Sequence, residues 1–325
     1  MIRASVVGLA LMLVLDAAMA GAQIPARTLL VLNKEGNVAI VDAATGTVVG
    51  RVPVGPDPHE VAIAPDGRFA VTSNYGTAER PGSTLSVIDL ASRTEVRRVD
   101  IAPLLRPHGL FFDGTGCWFT AEGSRIVARL NPASGKVDWL QGTGQNGTRM
   151  VTVAGGRVFA SNIQSDSVSV FEQGQGGWSH TVIPVGKGPE GFDVTPDGRQ
   201  LWAAGSADGR VTVVDLATRK AIDSFDVKTK RSNRLRFTPD GALVFISDVT
   251  TGELIVLDRA SRAEKLRLAV APKGIAGIEF STDGTTAWIA ATTDNFIAVF
   301  DVKSLRITGR LETGVGPDGM AYLAK

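Results

Sequence analysis

Two histidines in similar surroundings form the pair of side chains in this sequence best suited to catalysis or metal binding. His59 and His108 each follow a proline. Such a pair could act as a general acid and base, bind a metal ion, or ligate a haem iron. The structural alternative is that both rings bond backbone groups and tie neighbouring repeats together. A zinc site would also need carboxylates such as Glu190 or Asp318, because the third histidine, His180, lies elsewhere in its repeat.

The other reactive or charged motifs favour structural roles. Cys117 is the single cysteine, and the repeat layout places no histidine beside it, so we interpret it as a buried small apolar residue. The basic run Lys228–Arg236 lacks the interleaved aromatic residues that stack nucleic-acid bases, which favours a solvated loop. No Gly-x-Ser-x-Gly elbow, His-Glu-x-x-His pair or phosphate-binding glycine loop occurs in the sequence. We therefore predict no catalytic residue and no metal ligand.

The composition excludes several broad classes of protein. The chain has 325 residues, with 34 lysines and arginines against 33 aspartates and glutamates, and a net charge of +1. This balance argues against a uniformly basic nucleic-acid-binding protein, and we expect no nucleic-acid partner. A single cysteine can form no internal disulfide and no cysteine-rich metal site. Glycine is frequent, with 37 residues, because the turns of a repeat require it.

The N-terminus has the pattern of an export signal. Arg3 precedes the apolar stretch 4–15, and small-x-small motifs suited to cleavage follow at 18–22. We therefore interpret residues 1–22 as a cleaved signal peptide. We expect the mature chain, 23–325, to be a single domain that is periplasmic or secreted. No later stretch is long and apolar enough to predict a membrane span.

A unit of about 42 residues is repeated seven times along the chain. One marker is the residue eight positions before a turn glycine, which recurs every 40 to 49 residues. Its copies are His59, His108, Thr148, Glu190, Asn233 and Ala276, with Asp318 opening a final copy that the C-terminus shortens. A second marker is an acidic or amide residue that ends an apolar run and precedes x-x-Thr/Ser. Its copies are Asp42, Asp89, Asn131, Asp215, Asp258 and Asp301.

Each copy contains four short runs with the composition of β-strands. In the second copy these are Val61–Ala64, Phe69–Tyr75, Leu85–Leu90 and Glu95–Ile101, separated by Asp-Gly or Asx/Ser-Thr turns. Seven copies of four antiparallel strands predict an all-β fold, a seven-bladed β-propeller. The first copy lacks its first strand, and Gly319–Leu323 supplies it. The last strand is therefore predicted to join the N-terminal blade and close the ring.

The repeat units resemble a known family. The segments GPDPHEVAIAPDGRFAVTSNYG, PGSTLSVIDLASRTEVRRVDI and GVGPDGMAYL are similar to the YVTN-type β-propeller repeats of exported, YncE-like prokaryotic proteins, and the resemblance covers residues 28–323. It implies the propeller fold. The family shares its architecture with lactonase-type propellers and with the haem d1-binding propeller of some nitrite reductases, and these imply two alternative functions.

Position within the repeat separates scaffold carboxylates from candidate site residues. Periodic aspartates such as Asp66 and Asp89 are expected to bond turn backbone. Propellers usually bind ligands at the mouth of the central channel, on the face of the blade-to-blade loops. The residues expected to bind a ligand at that mouth are His59, Arg106, His108, Arg149, Glu190, Asn233, Arg234 and Asp318. The long loop 76–83 is expected to cover the mouth as a lid through Glu79 and Arg80.

Cations outnumber carboxylates in the blade-to-blade segments, which predicts a basic mouth within a nearly neutral chain. We expect an exported, monomeric, non-catalytic protein that binds a small anionic ligand or another exported protein. One alternative is a lactonase-type hydrolase acting on a sugar or carboxylate lactone, with His59 or His108 as base beside Glu190. Another is a carrier of haem d1 or a metal ion, although no cofactor is predicted from the residues themselves.

Overall fold

Short apolar segments that end in turn residues each form one strand. The computed structural model describes residues 24–114 and 116–324, and within them 28 strands build seven four-stranded antiparallel sheets. The signal peptide predicted at residues 1–22 lies outside these residues. The sheets are the blades of a seven-bladed β-propeller, as the repeat predicted. No helix in the described ranges is long and apolar enough to cross a membrane.

The four strands of each blade run in order from the central channel to the rim. The innermost strands are β4 (Pro58–Ile63), β8 (Pro107–Asp113), β12 (Thr148–Ala154), β16 (Pro189–Val194), β20 (Ser232–Phe237), β24 (Ile278–Phe280) and β28 (Pro317–Ala324). The second strands are β1 (Arg27–Asn33), β5 (Phe69–Gly76), β9 (Gly116–Ala121), β13 (Arg157–Asn162), β17 (Gln200–Gly205), β21 (Leu243–Asp248) and β25 (Thr286–Ala291). The third strands are β2 (Asn37–Asp42), β6 (Pro81–Asp89), β10 (Ile126–Asn131), β14 (Ser167–Gly174), β18 (Arg210–Asp215), β22 (Glu253–Asp258) and β26 (Phe296–Asp301). The outer strands are β3 (Thr47–Pro53), β7 (Thr94–Asp100), β11 (Lys136–Gly142), β15 (Gly177–Pro184), β19 (Lys220–Asp226), β23 (Glu264–Ala269) and β27 (Arg306–Leu311), and a 3-10 turn spans Glu122–Ser124.

The C-terminal strand β28 completes the N-terminal blade. It pairs antiparallel with β1, so that Tyr322 lies opposite Leu29 and Met320 lies opposite Val31. Leu29 and Val31 have no exposed surface, and Met320 is buried beside them. This pairing confirms the prediction that the last strand closes the ring, and β28 is called the closing strand below.

The hydrophobic core lies between neighbouring blades. Each of the seven apolar clusters within the described ranges combines side chains from two adjacent blades. Trp118 packs against Trp178 of the next blade, with ring centroids 6.0 Å apart, and Trp288 packs against Tyr322 of the closing strand at 5.0 Å. Cys117 is fully buried between two blades, and burial raises the pKa of its thiol. The interpretation of Cys117 as a buried small apolar residue is confirmed.

The periodic aspartates bond turn backbone, as predicted. Asp66 accepts a hydrogen bond of 2.9 Å from the amide of Arg68, and Asp89 accepts one of 2.7 Å from the amide of Ser92. Gly67 occupies the first of these turns with a φ of +67°, where a side chain would be strained. The same type of bond recurs at Asp42, Asp197, Asp215, Asp240, Asp258, Asp283 and Asp301. These carboxylates belong to the scaffold.

Candidate functional site

An irregularity of the sheet directs the second residue of most inner strands toward the channel mouth. The register shifts between Pro107 and Leu110 where β8 pairs with β9, and β4, β12, β16 and β20 shift at the equivalent place. Such bulges change the direction of a side chain. The freed amide of Gly109 donates to the Thr120 hydroxyl (2.9 Å), which donates in turn to the Arg149 carbonyl of the next blade (2.5 Å). These two hydrogen bonds connect the inner strands of two neighbouring blades at the mouth.

The glycine that follows the second residue of an inner strand lets adjacent inner strands approach closely. A Cβ on Gly109 would lie 2.7 Å from the carbonyl oxygen of Arg149, and one on Gly319 would lie 2.6 Å from that of His59. Real Cβ atoms do not approach backbone so closely. The glycines therefore allow side chains of successive blades to meet around one small cavity.

Seven of the eight residues predicted to bind a ligand line one cavity of about 190 Å³. They are His59, His108, Arg149, Glu190, Asn233, Arg234 and Asp318. Lys34, Arg231 and Thr292 also contribute polar side chains to its wall. The structure thus brings together residues from six blades that are distant in the sequence, and ligand binding by them stays a prediction.

The structure places Arg106, Glu79 and Arg80 outside this cavity. The Arg106 guanidinium lies 4.9 Å from the centre of the Tyr75 ring and donates to the Thr77 carbonyl at 3.1 Å, which fixes the β5–β6 hairpin. Glu79 and Arg80 lie at the exposed tip of that hairpin. The inserted residues extend a paired hairpin instead of forming a loop, so the predicted lid residues do not contact the cavity.

Thr148, the copy of the first marker in this blade, does not line the cavity. It is fully buried, and its hydroxyl donates to the Asn162 side chain at 3.0 Å. Arg149 takes the position that His108 has in the preceding blade. The marker falls one residue early because the two-residue turn Gly155–Gly156 joins β12 to β13, and this turn is shorter than the one that joins β16 to β17.

The two histidines are neighbours beneath the mouth. Their ring centroids lie 4.8 Å apart, and Tyr75 packs against both at 4.5 and 5.5 Å. His59 Nε2 is 3.2 Å from Lys34 Nζ. His108 is 1% exposed, and neither of its ring nitrogens has a hydrogen-bond partner in the described part of the chain. His108 therefore does not tie the repeats together through backbone bonds.

Burial keeps His108 neutral. Desolvation, followed by the charge of Arg149 and the neighbouring His59, lowers the pKa of His108 well below its usual range. A neutral imidazole carries one N–H donor and one lone-pair acceptor. The ring therefore offers one donor and one acceptor, and neither has a partner among the described residues.

Most cations at the mouth are paired with carboxylates. Arg149 donates to Glu190 Oε1 at 2.9 Å and to Glu122 Oε2 at 3.0 Å. Lys34 Nζ lies 3.1 Å from Asp318 Oδ2. The cavity wall carries four cations and two carboxylates, and Glu122 and Glu60 pair two of those cations from just outside the wall, so the mouth is less basic than the count of basic residues predicted.

A buried ion pair supports the cavity from below. Arg234 donates to Glu60, and it also donates to the Asn233 side chain at 3.1 Å. Asn233 donates in turn to Glu190 Oε1 at 3.0 Å. Burial raises the pKa of Glu60 to about 7, with the charge of Asp318 acting in the same direction and that of Arg234 opposing it. Together with Arg149 and Glu122, these side chains of five blades form one hydrogen-bonded network.

Glu60 gives the stability of the protein a specific pH dependence. Between its ordinary pKa near 4.5 and about 7, the folded state binds a proton that the unfolded state does not, so this contribution to stability falls as pH rises. Glu60→Gln mimics the protonated form and is expected to remove that fall. Urea unfolding of both proteins at about pH 5 and about pH 8 measures it. Equal pH dependence in the two proteins would contradict the assignment.

Lys34, Tyr75 and Thr292 were not among the residues predicted from the sequence. Lys34 follows β1, Tyr75 lies near the end of β5, and Thr292 follows β25. All three therefore lie at the end of a second strand, which the repeat places on the same face as the blade-to-blade loops. That shared position is the signal that could have identified them.

Similarity to solved structures extends to the fold alone. A chain from Lactobacillus plantarum is 12% identical, with a TM-score of 0.76 over 91% of this chain and 99% of that one. Hydrazine synthase of Kuenenia stuttgartiensis is 16% identical, with a TM-score of 0.67 over 82% and 91%. The dihydro-haem d1 dehydrogenase NirN in complex with DHE is 16% identical, with a TM-score of 0.65 over 90% and 74%.

Sequence comparison identifies the family. No curated protein is significantly similar to the chain. The model of one family, described as YncE-like β-propeller, matches residues 4–325. The match spans nearly the whole chain and agrees with the seven blades and the closing strand. The chain therefore belongs to the YncE-like β-propeller family.

Proposed function

We propose that this protein is a non-catalytic binding protein that holds a small anionic ligand in the cavity at the channel mouth. One observation carries the proposal: buried polar atoms in the cavity wall lack partners within the described residues. They are both ring nitrogens of His108, Oε2 of Glu190 and Oγ1 of Thr292. Buried polar atoms in proteins are almost always hydrogen-bonded, so these atoms are suited to a bound molecule.

The charge and size of the cavity favour a small anion. Three of the four cations in its wall are paired with carboxylates, and Arg231 makes no ion pair with the described residues. An arginine fork can bond both oxygens of a carboxylate. The volume of about 190 Å³ equals that of about six water molecules at roughly 30 Å³ each, which suits a compact ligand.

Arg231→Gln is expected to weaken binding of a small carboxylate about fivefold. Loss of one exposed charge-assisted hydrogen bond removes about 1 kcal/mol of binding free energy. Calorimetric titration with C3–C6 mono-, di- and tricarboxylates and with inorganic phosphate measures the change. The folded structure should be unaffected, because the arginine side chain is exposed and not ion-paired within the described residues.

Lys187→Gln is the matched control, because Lys187 is exposed on the same face but does not line the cavity. It should bind the same anions as the wild type. Equal affinity of the Arg231 variant and the wild type, or no binding by any acid of the panel, would contradict the proposal.

A lactonase-type hydrolase is the second candidate, and the neutral ring of His108 favours it because a general base needs a free nitrogen. We place binding first because, within the described residues, no carboxylate bonds either nitrogen, whereas bases of the triad type are oriented by one. Hydrolysis of sugar lactones by the wild type that His108→Phe abolishes would favour the hydrolase.

Carriage of haem d1 fits the cavity poorly. Pockets for drug-sized ligands measure roughly 300–1,000 Å³. A tetrapyrrole is at least as large as such ligands, and the cavity has about 190 Å³. Among the described residues, no group of three or more His, Cys, Asp or Glu side chains is arranged to hold a metal ion. We therefore propose neither cofactor, although NirN has the same fold.

We also propose that the chain is exported after cleavage of residues 1–22, as the pattern of Arg3 and the apolar stretch suggests. The ligand would then be met outside the cytoplasm, and another exported protein is the alternative partner. N-terminal sequencing of the mature protein tests the cleavage site.

A further inference from the structure

The buried polar atoms of the cavity wall restrict the hydrogen-bonding groups of the ligand as well as its charge. Oε1 of Glu190 already accepts hydrogen bonds from Arg149 and Asn233, at 2.9 and 3.0 Å. Its second oxygen, Oε2, is buried and receives none from the described residues. A carboxylate oxygen can only accept a hydrogen bond. A ligand that satisfies this atom must therefore carry a donor, which a simple carboxylate ion lacks.

His108 and Thr292 can bond the same kind of group. The neutral ring of His108 offers one acceptor and one donor, and the Thr292 hydroxyl offers both. Both side chains line the cavity together with Glu190. Alcohol hydroxyls, which donate and accept at one atom, match this set of partners.

The charge of the wall distinguishes a hydroxyl from an ammonium donor. Either group could donate to Glu190 Oε2. However, both carboxylates of the wall already face cations, Glu190 facing Arg149 and Asp318 facing Lys34, and Arg231 adds a cation without an ion pair among the described residues. A positive charge on the ligand would be repelled by Arg231, whereas a hydroxyl adds no charge.

We infer that the ligand is a compact hydroxy-carboxylic acid, such as an aliphatic hydroxy acid or a small sugar acid. This inference rests on the proposed function. Its carboxylate would engage Arg231, and its hydroxyls would bond the buried atoms of Glu190, His108 and Thr292. A site with buried polar groups rejects analogues that leave those groups unpaired.

Triplets of acids with one carbon skeleton test the inference on the full mature chain. Lactate, propionate and alanine form one triplet, and malate, succinate and aspartate form another. We expect the hydroxy acid of at least one triplet to bind at least tenfold more tightly than both its deoxy and its amino analogue. Calorimetric titration gives the affinities.

The variant His108→Phe tests whether His108 causes the preference for the hydroxy acid. The ring nitrogens of His108 bond no described residue, so phenylalanine of similar shape should preserve the fold. We expect the variant to lose most of the preference for the hydroxy acid while keeping its affinity for the deoxy acid. Thr292→Val is a second variant with a smaller expected loss.

The outcomes separate this inference from the proposed function. Equal binding of hydroxy and deoxy acids, weakened alike by Arg231→Gln, would overturn the inference and leave anion binding intact. Tighter binding of the amino acids would also overturn it. Absence of binding by every acid would overturn both, and the buried atoms would then be assigned to ordered water.

Discussion

A chain that ends at Gly316 is expected to lose its cooperative unfolding transition. Removal of the closing strand leaves the N-terminal blade with three strands and exposes β1, whose Leu29 and Val31 are fully buried in the intact ring. It also removes Met320 and Tyr322 from the core shared with the last blade. The loss is comparable to the whole stability of a domain, on the order of 5–15 kcal/mol. Thermal unfolding followed by circular dichroism measures it.

A chain that ends at Leu323 is the control for this truncation. It lacks only Ala324 and Lys325, and Ala324 is exposed at the end of the strand. Its melting temperature should stay close to that of the full chain. If the chain ending at Gly316 melts at the same temperature as this control, the closing strand does not hold the ring.

Arg234→Met is expected to destabilise the protein by about 3–5 kcal/mol above pH 7, because it leaves the buried carboxylate of Glu60 without its cation. Loss of the cation raises the pKa of Glu60 further above the value of about 7 that it has beside Arg234. The folded variant must then hold either a buried charge or a proton that is scarce at high pH. The destabilisation should therefore shrink as pH falls toward about 5. Urea unfolding at both pH values measures it.

The double variant Arg234→Met/Glu60→Gln tests the cause. With the carboxylate replaced by a neutral amide, most of the stability lost at high pH should return, since no buried charge remains unpaired. A double variant as unstable as Arg234→Met at high pH would show that the loss comes from packing of the arginine stem and not from the charge.

The architecture could be predicted from the sequence because it depends on local chemistry repeated many times. Asp66 and Gly67 form their turn with neighbours in the chain, and Asp89 bonds Ser92 three residues away. Each such turn fixes the ends of two strands. The pairing of the closing strand could be predicted by counting strands, because the N-terminal copy lacks its innermost strand.

The candidate site was predicted less completely because its properties depend on pairing across the ring. Glu60 and Arg234 are 174 residues apart, and only the fold shows that they neutralise each other. The excess of cations on this face therefore predicted a more basic mouth than the structure has. Likewise, no pattern in the sequence indicates that His108 lacks hydrogen-bond partners among the described residues, since that depends on side chains of several blades.

The closing strand also determines when the candidate site can exist during biosynthesis. Asp318 lies in β28 and in the cavity wall, so the site is complete only after β28 has been synthesised. A nascent or C-terminally clipped chain would lack both the closed ring and the site. Conversely, a ligand present at about 100 times its dissociation constant would stabilise the closed state by about 2.7 kcal/mol of unfolding free energy. Ligand retention would therefore report that a molecule contains β28 and that its ring is closed.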